Sequence, residues 1–312
     1  MLEIVRFVSD QYVDLARVLT AAYDGLTFHP ESLRDLDENL ADHYIAKRWM
    51  GLDYGRPVAC AEYRHTPEMF HPREFLMTIA VHPGYQGQGL GGRMYDRIRE
   101  DIAIHNPLKV RAACRADHVR TVGFLERRGF VRGMRILELQ LDLGRNPVGR
   151  ARDRRECNAG PVEISTLSEL ARDPDRNWKL YNLITALRED IPLPDAATQV
   201  TFEHFVATFV EAPSRLPDAT FVARFAGEYV GFCDLHADAD GGLRCGLTGV
   251  LSMYRGSGIA NTLKAASSNF ARTHAYRHIR TFNDATNGAI LAVNRSAGFS
   301  VRSSWLHFTR II

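Results

Sequence analysis

The alternation of apolar and polar positions divides this chain into strands and helices, and it is clearest from Phe75 to Ile102. The near-continuous apolar run Phe75 to Val81 predicts a buried strand. After a glycine-rich turn, Leu90, Met94, Ile98 and Ile102 recur every fourth residue, which predicts an amphipathic helix. Upstream, the pattern predicts a strand over Glu3 to Val8, a helix capped by Asp10 with Val13, Leu15, Ala16, Leu19 and Ala22 on one face, and a second helix over Ser32 to His43. Trp49 to Leu52 and Val58 to Arg64 read as a hairpin around Asp53-Tyr54-Gly55-Arg56. Downstream come a short strand (Lys109 to Cys114), a helix (His118 to Arg128) stopped by Gly129, and a hairpin over Phe130 to Leu143.

The second half repeats this plan. Strands are predicted at Val162 to Ser165, Thr220 to Phe225, Val230 to Leu235, Arg244 to Leu251, His278 to Asn283 and Val301 to Thr309. Helices are predicted at Arg176 to Arg188, Phe202 to Val210, Ile259 to Ala271 and Asn287 to Ser296. The repeat is also literal: Thr248 to Ala260 matches Ile79 to Gly91, and at the same offset Gly298-Phe299 matches Gly129-Phe130. Gly227 to Asp234 matches Gly55 to Glu62 at a slightly longer offset, a difference in loop length. Self-similarity over this length indicates duplication rather than two unrelated glycine turns. The expected organisation is an N-terminal domain (1–144), an Arg-rich linker (145–160) and a C-terminal domain (161–312), each α/β (α+β) with a central mixed sheet flanked by helices.

Composition narrows the function. With 39 basic and 37 acidic residues among 312, no global charge recommends nucleic acid or an anionic membrane as partner. MLEIVRFVSD lacks a basic leader with an apolar core, and no apolar run approaches the ~20 residues of a membrane span, so a cytoplasmic location is expected. Cys60, Cys114, Cys157, Cys233 and Cys245 show no CxxC spacing, which argues against a disulfide framework and a zinc site, and no metal is expected. The His-Pro pairs at 29, 71 and 82 read as loop punctuation.

The chemistry concentrates at the glycine turns. Successive glycines let backbone N–H groups and a helix N-terminus converge on a phosphate. A Walker loop is excluded because no Gly-Lys-Ser/Thr follows. Gly87, Gly89 and Gly92 spell G-x-G-x-x-G, but no acidic ribose partner stands between Asn106 and Arg115. Gln86-Gly87-Gln88-Gly89-Leu90-Gly91 and Arg255-Gly256-Ser257-Gly258-Ile259-Ala260 also fit Gln/Arg-x-x-Gly-x-Gly/Ala. In this they resemble the acyl-coenzyme A pyrophosphate loop of the GNAT superfamily of N-acetyltransferases, and the order of elements resembles a tandem GNAT protein over nearly the whole chain.

That resemblance implies direct acyl transfer from acetyl-coenzyme A, or another acyl-coenzyme A, to a small amine acceptor. Ile79 and Val81, or Thr248 and Val250, would offer strand N–H and C=O groups to the pantetheine arm and thioester. The loop amides from Gln86 to Gly91, or Arg255 to Ala260, would take the pyrophosphate. The matched carboxylates Glu62 and Asp234 are the candidate general bases. The family's usual tyrosine acid, four residues before Gly-Phe, is replaced by Leu125 and Asn294, while the family's asparagine seven residues earlier is kept as Asn287 and replaced by His118. The C-terminal half, with Thr248, Arg255, Asn287 and Asn294, is therefore the better equipped. The rival readings are a non-catalytic acyl-coenzyme A sensor and a protein or RNA acetyltransferase. The expected assembly is a pseudo-dimer within one monomeric chain.

Overall fold

The computed structural model describes residues 2–23, 25–144, 162–195, 197–238 and 240–312. The expected Arg-rich linker lies outside these residues, as does Cys157. The chain forms two compact units. The first comprises Met1–Gly133, Asp195–Thr198 and Leu306–Ile312, the second Met134–Pro194 and Gln199–Trp305.

The first unit contains β1 (Leu2–Arg6), α1 (Tyr12–Ala22), α2 (Pro30–Glu38), β2 (Ala46–Asp53), β3 (Arg56–Arg64), β4 (Glu74–Val81), α3 (Leu90–Ile102), β5 (Lys109–Arg115) and α4 (Val119–Glu126). β1 to β4 form an antiparallel meander, and β5 joins β4 in parallel. Strand periodicity sorts the core into two layers. Ala59, Ala61 and Tyr63 of β3, with Phe75 and Met77 of β4, face Met94, Ile98 and Ile102 of α3, whereas Cys60 and Ala80 face Leu15 and Leu19 of α1.

The strand β6 (Val131–Asp142) corrects the hairpin expected over Phe130 to Leu143: it is one continuous strand. From Met134 onward it belongs to the second unit, where Ile136 to Asp142 pair antiparallel with β11 (His278–Asp284). Reciprocally, the end of β12 (Ser300–Ile311) belongs to the first unit from Leu306. Each compact unit thus takes its closing strand from the other half of the sequence.

The second unit repeats the plan with β7 (Glu163–Thr166), α5 (Arg176–Glu189), α6 (Phe202–Phe205), β8 (Thr220–Phe225), β9 (Glu228–Ala237), β10 (Leu243–Val250), α7 (Ile259–Thr273), β11 and α8 (Gly288–Ser296). α6 does not run on to Val210 as an α-helix; Val206 to Val210 continue it as a π-helical turn. Cys233, Leu235 and Cys245 share a core with Ile259, Leu263 and Ala271 of α7, and Phe232 packs on Leu180, Leu183 and Leu187 of α5.

Phe308 offers a direct check on the exchanged strand. It is fully buried among Trp49, Tyr63 and Phe75 although it follows them by most of the chain. Phe308→Ala should cost about 3–5 kcal/mol. Hydrogen exchange should place the loss in β3 to β5 and α3 rather than in β8 to β10, and the opposite pattern would refute the assignment of this strand.

Candidate functional site

In both units the parallel pair beside the glycine loop separates early. β4 and β5 are paired only through Glu74–Lys109, Phe75–Val110 and Leu76–Arg111; β10 and β11 only through Leu243–Ile279, Arg244–Arg280 and Cys245–Thr281. Each central strand continues past that point to Val81 or Val250. Its N–H groups alternate in direction. Leu247 N donates to Asp234 Oδ1 (2.8 Å) and Leu251 N to Val230 O (2.9 Å), so Thr248 and Val250 direct theirs into the gap. His82 N donates to Val58 O (2.9 Å), which gives Ile79 and Val81 the same orientation in the first unit.

The loops are built alike. Gly87 and Gly89 have φ of 81° and 82°, Gly256 and Gly258 of 75° and 89°, a left-handed region that only glycine adopts without strain. Gly89 and Gly258 are the N-cap residues of α3 and α7, so the N–H groups of Leu90 and Gly91, or Ile259 and Ala260, open each helix without an intrahelical acceptor. The first loop residue pins the turn back to its strand: Gln86 Nε2 donates to Val81 O and Arg255 Nε to Val250 O, both at 3.0 Å. Arg255 also pairs with Asp190. Its guanidinium therefore holds the loop in place. Gln88 Nε2 reaches Gly84 O at 3.5 Å, and Ser257 Oγ donates to Tyr254 O at 2.6 Å.

The units differ in the space left beside the loop. In the second, strand residues 247–250, loop residues 254–261, Asn287, Ile290 and Val293 line a cleft of roughly 500 Å³. Asn287 caps α8 by accepting from Ile290 N at 3.3 Å. A Cβ at Gly256 would project into open space, as would one at its counterpart Gly87. In the first unit Phe124 occupies the place of Val293: its ring is 3.5 Å from where a Cβ at Gly91 would stand. Arg128 stacks on that ring at 3.6 Å and lies 3.3 Å from the corresponding position at Gly92.

Each candidate catalytic side chain is engaged by other groups of the protein. Glu62 is bound in a four-charge cluster: it pairs with Arg48 and with Arg64 (3.6 Å), and both arginines also pair with Asp37 (2.7 and 3.7 Å). Asp234 is buried, and it accepts from Arg215 Nη1 (2.7 Å), Leu247 N (2.8 Å) and His236 Nε2 (2.9 Å). Asn294 is fully buried and donates to Asn283 Oδ1 at 2.8 Å, away from the cleft lining.

What Asp234 does is shape the strand beside the cleft. Between Cys245 and Thr248 the β9–β10 register slips, so Gly246 and Leu247 together oppose Asp234 in a β-bulge. In the first unit Glu62 opposes Thr78 with no slip. Gly246 must lack a side chain, since a Cβ would stand 2.6 Å from Asp234 Oδ1 and 3.0 Å from His236 Nε2. The residue that sequence reasoning missed is His236. It follows Asp234 by two on one strand face, its side chain is 26% exposed where Asp234's is 3%, and its Nε2 is fixed by that carboxylate. Burial pushes the Asp234 pKa up, but His236 and Arg215 outweigh this and hold it below the ordinary carboxylate value.

Asp234→Asn should cost about 3–5 kcal/mol at neutral pH, because Arg215 would be left buried and unpaired. Since the folded pKa is lowered, this stabilisation is complete above the unfolded carboxylate value and is lost as pH falls through the folded one. In urea unfolding the gap between parent and variant should therefore close in strong acid. A gap independent of pH would show that the carboxylate charge contributes nothing.

Residues 13–130 match the model of the acetyltransferase (GNAT) family. Over its full length the chain superposes on a tandem GNAT protein from the clavulanic acid biosynthesis pathway, with a TM-score of 0.79, 16% identity, and 100% of this chain and 98% of that one covered. A GCN5-related N-acetyltransferase from Sphaerobacter thermophilus gives a TM-score of 0.76 at 19% identity, with 99% and 95% covered. Another from Kribbella flavida gives 0.53 at 15%, with 100% and 71% covered. At such identities the likeness is one of fold. No curated protein matches the sequence. Among the described residues no helix is long and apolar enough to cross a membrane. Residues 13–130 thus match the acetyltransferase (GNAT) family model, and over its whole length the chain shares the fold of a tandem GNAT protein.

Proposed function

We propose that the protein is an acyl-coenzyme A-dependent N-acyltransferase acting on a small amine, with transfer in the second unit. The observation that carries this reading is the cleft where the glycine loop, the start of α7 and the inward N–H groups of Thr248 and Val250 meet. These groups fit acetyl-coenzyme A, which would supply an activated acyl thioester. The amides from Gly256 to Ala260, at the positive end of α7, suit the pyrophosphate. The strand amides suit the pantetheine arm and thioester oxygen, where one donor contributes roughly 3 kcal/mol to an acyl-transfer barrier.

The acceptor amine must lose a proton before it can attack. His236 is the group for this task. Its Nε2 is held by Asp234, so Nδ1 is the nitrogen that takes the proton, and the exposed edge of the ring can meet an incoming amine. Asp234 fixes the ring, an orienting role that Arg215 supports from behind. The domain division at 145–160 remains our reading of the duplication, and the near-neutral charge favours a small acceptor over a nucleic acid.

Binding is tested by calorimetry with acetyl-coenzyme A. Ala260→Glu places a carboxylate in the first turn of α7, where the helix dipole favours it but the phosphates do not, and affinity should fall more than about tenfold. Gly91→Glu, at the matching place in the first unit, should change it little. Unaltered binding in Ala260→Glu would reject the cleft as the cofactor site.

Turnover is tested by free coenzyme A release across a panel of amines. His236→Gln should lower kcat/KM by ~10²-fold or more and remove the acidic limb of its pH profile. Binding without turnover on any amine would favour a sensor.

A further inference from the structure

Behind the cleft, on the face of β10 covered by α7, four polar side chains meet inside the core. Lys264 is 1% exposed, and its Nζ donates to Cys245 Sγ at 3.1 Å. The sulfurs of Cys245 and Cys233 are 3.7 Å apart. Thr248 Oγ1 lies 3.3 Å from the first and 3.4 Å from the second. Thr248 also lines the cleft, so one residue borders both the open space and the thiol pair.

The fold does not require this cluster. By repeat and register, the first unit has Met77, Ala61, Ile79 and Tyr95 where the second has Cys245, Cys233, Thr248 and Lys264, and its core closes without a charge there. A buried ammonium is costly unless an anion compensates it. The available anion is a thiolate. The hydrogen bond with Cys233 lowers the Cys245 pKa against the opposing effect of burial, and the Lys264 charge lowers it further. Burial would depress Lys264, but the Cys245 and Cys233 sulfurs overcome that and hold it protonated. Cys233 is shifted upward and stays a thiol. The ammonium thus stands against Cys245 Sγ with Cys233 Sγ directly beyond it, the arrangement needed for an attacking and a resolving cysteine.

We propose that Cys233 and Cys245 form an oxidisable thiol pair, with Lys264 holding Cys245 as the attacking thiolate and a hydroperoxide entering past Thr248 as the oxidant. The Cys245 sulfur takes one peroxide oxygen, the O–O bond breaks, and the released hydroxide or alkoxide gains a proton from solvent. Cys233 sulfur then displaces the sulfenic hydroxyl, which leaves as water with the Cys233 proton. Two electrons pass from the sulfurs to the peroxide, and an S–S bond joins β9 to β10. To reach the ~2.05 Å bond length the two strands must draw together beside the bulge, which displaces Thr248. This last consequence, loss of acyl-coenzyme A binding, rests on the function proposed above; the disulfide itself does not.

The test exposes the full chain to hydrogen peroxide, blocks remaining thiols and maps unreduced peptides by mass spectrometry. A Cys233–Cys245 cross-link reversed by dithiothreitol is expected, and Cys233→Ser should instead halt at a Cys245 sulfenic acid trapped by dimedone. Lys264→Met, which conserves bulk, should slow the cross-link about tenfold by returning Cys245 to the thiol form. If Lys264→Met does not fold, the parent and Cys233→Ser decide the matter. Folded protein that yields neither cross-link nor trapped Cys245, or a cross-link equally fast in Lys264→Met, would overturn the proposal. Prior acetyl-coenzyme A should retard the cross-link. A cross-link that forms at the same rate with the cofactor present would retain the thiol pair and reject the cleft assignment.

Discussion

A parallel strand pair that stays together for only three residue pairs is the constraint on which the rest of this structure depends. Beyond Cys245 and Thr281 the second unit has strand N–H groups that no neighbouring strand accepts, and buried backbone donors need partners. The fold cannot close the gap, because the glycine loop must leave the end of β10 and return on one side as α7. Arg255 and Gln86 make the same bond to the last strand carbonyl, so the turn is pinned identically in both units. The opening is thus a property of the architecture, and side chains decide what becomes of it.

They decide differently in the two halves. Val293 leaves the cleft open, whereas Phe124, reinforced by Arg128, lies against the start of α3. The bulge opposite Asp234 exists only in the second unit, because Gly246 and Leu247 stand where the first unit has a single Thr78. A duplicated sequence has kept the loop geometry twice but the bulged strand once.

What the sequence discloses follows the range of the forces involved. The glycine loops were legible because a left-handed φ is a local demand, and α3 and α7 because their apolar period is long. The hairpin over Phe130 to Leu143 failed because alternation marks a strand without saying which sheet receives it; Leu139 and Leu141 are buried in the core of the second unit. The sequence shows Asp234 as a candidate base but not its partners, because Arg215 and His236 reach it only through tertiary structure. A signal for His236 was nonetheless present, since two residues along a strand share a face. Phe124 against Val293 and Lys264 against Tyr95 were also visible in the repeat, but their meaning depends on what surrounds them.

Two buried charged clusters flank the same few residues of β10. Arg215, Asp234 and His236 lie on the face of α5, and Lys264 with Cys245 on the face of α7. Apolar side chains of similar volume would serve stability at least as well, and the first unit uses them at the second of these places. Charge here must therefore be accounted for by position rather than by stability. Asp234 spends its Oδ1 on Leu247 N, which fixes the bulge, and its Oδ2 on His236, which fixes the ring. Thr248 follows the bulge directly, with its N–H toward the cleft and its hydroxyl against the two sulfurs. A shift of β10 at this point moves both at once. The strand beside the cleft is thereby tied on one face to His236 and on the other to two sulfurs.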